Sequence, residues 1–180
     1  MSGCKLTSNI TKQNCNYSVA GVRALYLYNY DSANTYTTGS DSSVITTIAL
    51  ANDAKAYKID FIDNTASFTD DLAEGGNGGK YRTHTVNFSI GKYDYDLLNQ
   101  GNALSLGRFT AVVVDKSGRA IILGRLNGLS ATSFNYASGA ADADANGWTV
   151  VMAGTELELG RLIENEEVIK SITDTTAVTP

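Results

Sequence analysis

The stretch RFTAVVVDKSGRAIILGRL, residues 108–126, decides the fold class. It contains two apolar runs, Arg108 to Asp115 and Arg119 to Leu126, both rich in the β-branched residues that favour strands. The residues between them, Asp115-Lys116-Ser117-Gly118, have the composition of a hairpin turn, with glycine where a positive φ is needed. The stretch therefore predicts two strands joined by a tight turn.

Further strand patterns lie on both sides of this hairpin. GVRALYLYNY (21–30) is apolar on both faces, which predicts a central strand, whereas alternation in residues 80–90 places Val86, Phe88 and Ile90 on one inward face. Residues 55–62 also alternate, with Tyr57, Ile59 and Phe61 on one face, which predicts a half-buried strand. Leu157 and Leu159 alternate with Glu156 and Glu158. The remaining predicted strands are 43–50 and 147–154.

These patterns predict a mainly β fold, an antiparallel β-sandwich or barrel-like domain with one short helix, over residues 1–180. Asp94 is placed to cap the helix, Leu97 and Leu98 to face the core, and Gly101-Asn102 to end it. Outside this framework we expect an N-terminal arm at 1–20, a loop at 64–79 and a C-terminal arm at 164–180.

The composition excludes several classes of protein. Of the 180 residues, 43% are hydrophobic and 18% charged, which is typical of a globular chain, and no apolar run approaches the roughly 18 residues that cross a membrane. The net charge is −5 and the basic residues form no cluster, so direct nucleic-acid binding is not expected. The first residues carry no apolar leader pattern, which favours synthesis and retention in a cytoplasm.

The residues offer little basis for catalysis or for a bound cofactor. The chain has two cysteines, Cys4 and Cys15, and one histidine, His84, whose phase with Val86 and Phe88 favours a partly buried strand position. A reducing cytoplasm favours unpaired cysteines, although a disulfide between them is possible. No G-x-S-x-G motif is present, and nothing selects a catalytic pair among the many carboxylates. We therefore expect no enzyme and no cofactor.

The sharpest motif is the sequence from Asp142 to Gly147, DADANG, which matches the first half of a calcium-binding loop. Asp142, Asp144 and Asn146 would be the ligands. Position twelve of such a loop is a bidentate glutamate, but here it is Ala153, and the following WTVVMA pattern indicates a strand rather than a helix. An ordinary turn is the favoured interpretation, with calcium as the alternative.

Two further features have competing interpretations. The glycine-rich run at 75–79 lacks the Lys-Ser/Thr of a phosphate loop, so it is either a flexible connector or a contact between subunits. Tyr26, Tyr28 and Tyr30 share one face of a predicted strand, where they can pack in the core, contact another subunit or bind sugars.

From Gly21 to Glu156 the order of elements resembles a known family. GVRALYLYNY, SVITTIAL, a loop ending in Gly79-Lys80-Tyr81, THTVNFSI, a short helix, VVVDKSGRAIILGRLNGL and SGAADADANGWTVVMAGTE follow one another. This series is similar to virion proteins of bacteriophages that infect Bacteroidetes, which look like tail-tube (major tail) proteins. The resemblance lies in the pattern of elements and short phrases, without a single diagnostic motif.

The resemblance implies a non-enzymatic structural protein that assembles into rings, commonly hexamers, which stack into the tail tube of the virion, with residues 64–79 as the stacking loop. Its partners would be further copies of itself, other tail proteins and genomic DNA that passes without specific binding, and no membrane is implied. Asp60 and Asp63 are the candidates to face the lumen. The candidate assembly interface comprises Tyr26, Tyr28, Asp70, Asp71, Glu74, Gly75, Gly76, Asn77, Gly78 and Gly79.

Two alternatives to the tail tube remain. A head–tail connector or another ring-forming virion protein would share the fold but differ in copy number and in ring partner. A carbohydrate-binding β-sandwich would use the tyrosine ladder and the Asp-rich turn.

Overall fold

A computed structural model describes residues 5–6, 8–11 and 17–176. Cys4 and Cys15, which we expect to be unpaired, lie outside these ranges. The described residues form eleven strands and two α-helices, with a short 3-10 turn at Ala51–Asp53. In chain order the elements are β1 (Val22–Asn29), β2 (Thr35–Thr38), β3 (Val44–Ala49), β4 (Tyr57–Ile59), β5 (Ser67–Glu74), β6 (Lys80–Ile90), α1 (Tyr95–Leu106), β7 (Arg108–Asp115), β8 (Ala120–Leu123), β9 (Leu129–Ala137), β10 (Gly147–Glu156), β11 (Arg161–Ile163) and α2 (Glu166–Lys170).

The predicted hairpin of residues 108–126 is confirmed and forms the centre of the fold. β7 pairs antiparallel with β8, and Gly118 occupies the turn with a φ of 89°. On its other edge β7 pairs antiparallel with β1, with Leu25 opposite Val113. Because both faces of β1 and β7 are covered, their residues read as continuous apolar runs, as predicted for β1.

Two hydrophobic cores lie on the two faces of these central strands. Leu25, Leu27, Ala111 and Val113 face a core to which β6, β9, β10 and α1 contribute. The alternate residues of the same strands face a second core, completed by β3, β8, β11 and α2. This layered arrangement is the mainly β, sandwich-like or barrel-like class that the sequence predicts.

The sheet follows the order β2-β3-β11-β8-β7-β9-β10-β6-β5, and β1 and β4 extend from β7 away from this path. Most neighbouring strands are antiparallel, but β11 pairs with β3 in parallel. β8 and β9 both pair with β7, at opposite ends of that strand. Residues 124–128 between them therefore form a corner at which the chain passes from one half of the sheet to the other.

Glycines allow the backbone segments at this corner to approach closely. Gly124 and Gly128 have φ values of 70° and 76°, and each lacks room for a Cβ atom. A Cβ on Gly154 of β10 would overlap the carbonyl oxygen of Gly128. The corner thus packs backbone against backbone, and the sequence pattern gave no indication of this contact.

Three predicted boundaries need correction. The 64–79 segment is mostly β5, which pairs with β6 over its whole length, so only 75–79 form a turn. The helix α1 continues past Gly101-Asn102 to Leu106, because Gly101 is buried against the Phe134 ring, and Leu98 is exposed. Part of the predicted C-terminal arm is α2, which buries Ile169 in the second core.

Candidate assembly surface

Two strands, β2 and β5, end the main order of the sheet with an unpaired edge, and the three-residue β4 likewise has a single partner, β1. β2 pairs with β3 and β5 pairs with β6, and neither has a second partner strand within the described part of the chain. β5 is eight residues long and β2 four. An edge strand presents backbone N–H and C=O groups that can pair with another chain.

The candidate interface residues of the 64–79 segment occupy the β5–β6 hairpin. Gly75, Gly76, Asn77, Gly78 and Gly79 form its turn, in which Gly75 N–H donates to the Gly79 carbonyl over 2.8 Å and Asn77 Oδ1 accepts from Gly79 N–H over 3.0 Å. Asp71 and Glu74 are exposed on β5, whereas Asp70 is only partly exposed. The turn is therefore an ordered hairpin tip.

The alternating glutamates and leucines at the end of β10 and just after it have their glutamates inward and their leucines outward. Glu156 is fully buried, whereas Leu157 and Leu159 expose 78% and 62% of their surface. Leu162 on β11 is also exposed, at 43%. We call Leu157, Leu159 and Leu162 the leucine segment. Single exposed leucines are common, whereas three exposed leucines within six residues make this segment unusually apolar for a solvent-facing stretch.

Hydrogen bonds explain why the glutamates turn inward. The Glu156 carboxylate accepts the backbone N–H groups of Leu126 and Asn127 at 3.1 and 2.9 Å, at the corner between β8 and β9. Glu158 accepts two bonds from Arg125, at 2.6 and 2.8 Å, and a third from Arg161 at 2.8 Å. These charge-assisted bonds hold both carboxylates inside. The alternate residues, Leu157 and Leu159, therefore point outward.

The same end of the sheet contains a polar network around Asp70. Asp70 accepts from Arg82 Nε at 2.7 Å and from Gly160 N–H at 2.9 Å. Burial raises the pKa of Asp70, but these two bonds and the nearby charges outweigh it and hold the pKa below its ordinary value. This carboxylate is a structural acceptor, which makes it a poor candidate for a free interface group.

His84 faces inward, as its phase predicts, and is 1% exposed. Its Nδ1 accepts the Gly124 N–H at 3.2 Å, so the proton of the neutral ring lies on Nε2. Nε2 lies 3.3 Å from Asp70 Oδ1 but is too poorly aligned to make a hydrogen bond. Both ring nitrogens point into the chain, where solvent does not reach them.

Tyr26 and Tyr28 are not on the surface, which corrects their assignment to the interface. They are 3% and 0% exposed and belong to the second core. The Tyr26 hydroxyl donates to Glu166 at 2.8 Å, and the Tyr28 and Tyr36 hydroxyls lie 3.1 Å apart. Burial and the Glu166 carboxylate raise the pKa of Tyr26 well above its ordinary value. Core packing is thus the correct interpretation for Tyr26 and Tyr28, whereas Tyr30 is half-buried and donates to the Leu126 carbonyl.

The Asp-rich segment forms a turn before β10. Asp144 Oδ2 accepts the backbone N–H groups of Ala140 and Ala141, both at 2.8 Å, which lowers the pKa of Asp144. Asn146 Oδ1 accepts the Tyr136 hydroxyl at 2.9 Å. Two of the three candidate calcium ligands are therefore engaged within the protein. Within the described ranges, no group of three His, Cys, Asp or Glu side chains is arranged to hold a metal ion.

The lumen candidates, Asp60 and Asp63, lie in the connection between β4 and β5 and are both exposed. Asp60 lies 3.8 Å from Lys58, a loose ion pair in solvent. Because both side chains are exposed, Asp60 and Asp63 can contribute to an acidic surface of the protein.

Sequence reasoning missed Arg125 and Arg161, which turn Glu158 inward. The sequence offered no signal for them, since Gly-Arg pairs occur at 107–108, 118–119, 124–125 and 160–161 and nothing distinguishes the last two. Sequence reasoning also missed β5, β9 and the aromatic side chains around Trp148.

Comparison with known proteins finds no match to a family model, to a curated protein or to a solved structure. Among residues 5–6, 8–11 and 17–176, no helix is long and apolar enough to cross a membrane.

Proposed function

We propose that this chain is a non-enzymatic virion structural protein that assembles into rings, stacked as a bacteriophage tail tube. The observation that carries the proposal is the leucine segment. The chain buries Glu156 and Glu158 in hydrogen bonds while Leu157, Leu159 and Leu162 remain in solvent. Exposed large apolar side chains concentrated in one segment are typical of a surface that another protein covers.

The unpaired edges of β2 and β5 indicate how neighbouring copies would pair. β2 and β5 differ in length and sequence, so pairing β5 of one copy with β2 of the next is a head-to-tail contact. A head-to-tail contact closes into a ring when the rotation between copies fits, and such a ring pairs the edges of both β2 and β5. A hexamer is the number that the resemblance implies.

Charge suits a conduit for DNA. The chain has a net charge of −5, and Asp60, Asp63, Asp71 and Glu74 are exposed. A lumen lined by carboxylates repels the phosphate backbone, so the genome passes without binding. The virion would be the site of function after synthesis in the host cytoplasm.

The test compares the parent protein with a Leu157→Lys, Leu159→Lys variant by light scattering and negative-stain microscopy over a range of concentrations. We expect rings or tubes of uniform width from the parent and monomers from the variant, because ammonium groups cannot enter an apolar contact. Leu106→Lys is the matched control, since Leu106 is 86% exposed at the end of α1.

The outcomes separate the possible roles. Rings that stack into tubes support the tail tube, whereas single rings of fixed copy number point to a head–tail connector. Monomers at every concentration, with the parent and the variant behaving alike, contradict assembly through the leucine segment.

A further inference from the structure

A second surface lies at the other end of β10, far from the leucine segment. Trp148 is near the start of this strand and Glu156 at its end, so eight residue steps of about 3.3 Å place them about 26 Å apart. Around Trp148 the side chains of Tyr93, Phe134 and Tyr136 form what we call the aromatic cluster.

The rings of the cluster hold one another in place. Trp148 stacks on Phe134 with ring centroids 4.5 Å apart and planes 13° apart, and on Tyr93 at 5.5 Å and 23°. Tyr136 meets Tyr93 edge to face at 4.7 Å, and its hydroxyl donates to Asn146 at 2.9 Å. Each ring therefore has an orientation fixed before any ligand arrives.

This cluster is open to solvent although its rings are ordered. Tyr93 is 56% exposed and Tyr136 39%, and Tyr95, two residues beyond Tyr93, is 78% exposed. Beneath them the Trp148 indole N–H is buried and donates to no acceptor in the described part of the chain. A buried donor without an acceptor costs free energy, so the described residues leave one polar group of the cluster unsatisfied.

The surroundings of the rings are polar and acidic. Asp96 is exposed beside Tyr95, and Asp142 is exposed in the turn that Asn146 joins to Tyr136. Asp94 pairs with Lys92 and accepts the Leu97 N–H, so it is already engaged. Carboxylate and amide oxygens accept hydrogen bonds from hydroxyl groups and repel anions. The ligand that suits preoriented rings beside such acceptors has weakly polar C–H faces, many hydroxyls and no negative charge.

We propose that the aromatic cluster is a binding site for neutral carbohydrate, with a pyranose ring stacked on Tyr93 and its hydroxyls donating to the nearby carboxylates. The electron-rich face of an aromatic ring attracts the C–H bonds of a sugar as it attracts the edge of another aromatic ring. The site uses none of the residues of the leucine segment. It goes beyond the structural role and stands independently of it.

Trp148 is the only tryptophan of the chain, so its fluorescence reports directly on this site. The experiment titrates the full chain with neutral hexasaccharides of glucose, mannose, xylose and N-acetylglucosamine, read by tryptophan emission and by calorimetry. We expect a saturable change with at least one of them and a Kd of about 1 mM or tighter, a modest affinity.

Two variants and a control test the stacking geometry. Tyr93→Ala should weaken binding at least about tenfold in calorimetry, a loss of about 1.4 kcal/mol, whereas Tyr93→Phe, which keeps the ring, should stay within about threefold of the parent. Tyr57→Ala removes a tyrosine that is 50% exposed on β4 and should bind like the parent. Circular dichroism of each variant establishes that it folds.

Several results would overturn the site. These are no saturable signal with any hexasaccharide at millimolar concentration, equal losses for Tyr93→Ala and Tyr57→Ala, or an emission that changes with protein concentration and not with sugar. The last would make the aromatic cluster a contact between copies. Assembly measured on the same samples is a separate readout, so failure of one proposal leaves the other standing.

Discussion

Glu156 has no exposed surface, yet it lies where β10 leaves the first hydrophobic core. Its two oxygens accept the backbone N–H groups of Leu126 and Asn127, donors that no strand partner satisfies. One side chain thus completes the hydrogen bonding of the corner between β8 and β9. An acidic residue at this position is a structural requirement of the turn, without any need for catalysis.

Replacing this carboxylate should therefore destabilise the fold. We expect Glu156→Ala to lower the free energy of unfolding by about 1–3 kcal/mol, because it leaves two backbone donors without an acceptor. Glu156→Gln keeps one oxygen and should lose less. Urea unfolding followed by circular dichroism measures both. Glu164→Ala, at an exposed glutamate, should change stability by no more than about 0.5 kcal/mol; an equal loss there would contradict the argument.

The contact between Gly154 and Gly128 makes a second prediction at this scale. A methyl group on Gly154 would overlap a carbonyl oxygen, and backbone atoms cannot rotate away as a flexible side chain can. We expect Gly154→Ala to cost about 3 kcal/mol, at the upper end for overpacked sites. In Gly76→Ala the methyl group has nothing within 4 Å. Thermal unfolding of the Gly154→Ala and Gly76→Ala variants measures the difference, and similar Tm values for the two would refute the close packing.

The inward residues of β6 could be predicted because the strand alternates without interruption, and Val86, Phe88 and Ile90 are buried as expected. Leu157 and Leu159 could not, since apolar residues are placed inside by default. The reversal depends on Arg125 and on the corner N–H groups, about thirty residues earlier in the chain. Periodicity depends only on neighbours in sequence, so it cannot indicate hydrogen-bond partners that lie so far away in the chain.

At the scale of elements, Glu158 joins the corner to β11. Arg125 belongs to residues 124–128 and Arg161 begins β11, and one carboxylate binds both guanidinium groups. Burial raises the pKa of Glu158, but the bonds and charges of the two arginines outweigh it and hold the pKa below its ordinary value of 4.5. Asp70 accepts the N–H of Gly160, two residues after Glu158, and its pKa is likewise held below the ordinary value of 3.8.

These two carboxylates give stability a defined dependence on pH. A group whose folded-state pKa is depressed contributes stability above its unfolded pKa and loses it as the pH falls through the folded value. We therefore expect a constant free energy of unfolding near neutral pH and a decline that begins below about pH 4.5. Unfolding by urea at a series of pH values measures the decline.

The variant Glu158→Gln separates the contribution of Glu158 and its two arginines from the loss of stability that acid causes elsewhere in the protein. At neutral pH the variant should be less stable by about 2 kcal/mol, the contribution expected of hydrogen bonds to charged groups. Its decline below pH 4.5 should be shallower than that of the parent, because one of the depressed carboxylates is gone. Parallel pH curves for the two proteins would show that Glu158 makes no such contribution.

The strong strands β1, β3, β6, β7 and β10 were all predictable, and the Asp94 cap of α1 is present, with Leu97 N–H donating to Asp94 over 3.0 Å. β5 was missed because SFTDDLAE is acidic and only loosely alternating. It becomes a strand because β6 extends beyond the core and offers its edge. α2 is five residues long, too short for a periodic signal.

On the scale of the whole molecule, the free edges of β2 and β5, which end the main order of the sheet, predict directional assembly. Lysines on an edge strand oppose its pairing with another chain. We expect Thr69→Lys, Asp71→Lys on β5, or Thr35→Lys, Thr37→Lys on β2, each to stop ring formation, since all four positions are exposed. Each variant keeps one competent edge.

Mixing the two edge variants tests the direction of pairing. A head-to-tail contact should yield one-to-one heterodimers and nothing larger, because the only competent pair is β5 of one variant with β2 of the other. Native mass spectrometry of the mixture distinguishes them. Homodimers of either variant alone would mean that like edges pair, and the head-to-tail geometry would be wrong.

The pairing of β1 with β7 also bears on how the chain is made. β1 ends at Asn29 and β7 at Asp115, so at about 5–20 residues per second roughly 85 residues of synthesis separate them, about 4–17 s. During that interval the nascent apolar strand has only the three residues of β4 as a partner strand. Translation itself, rather than the finished structure, is the stage at which this chain is most open to aggregation.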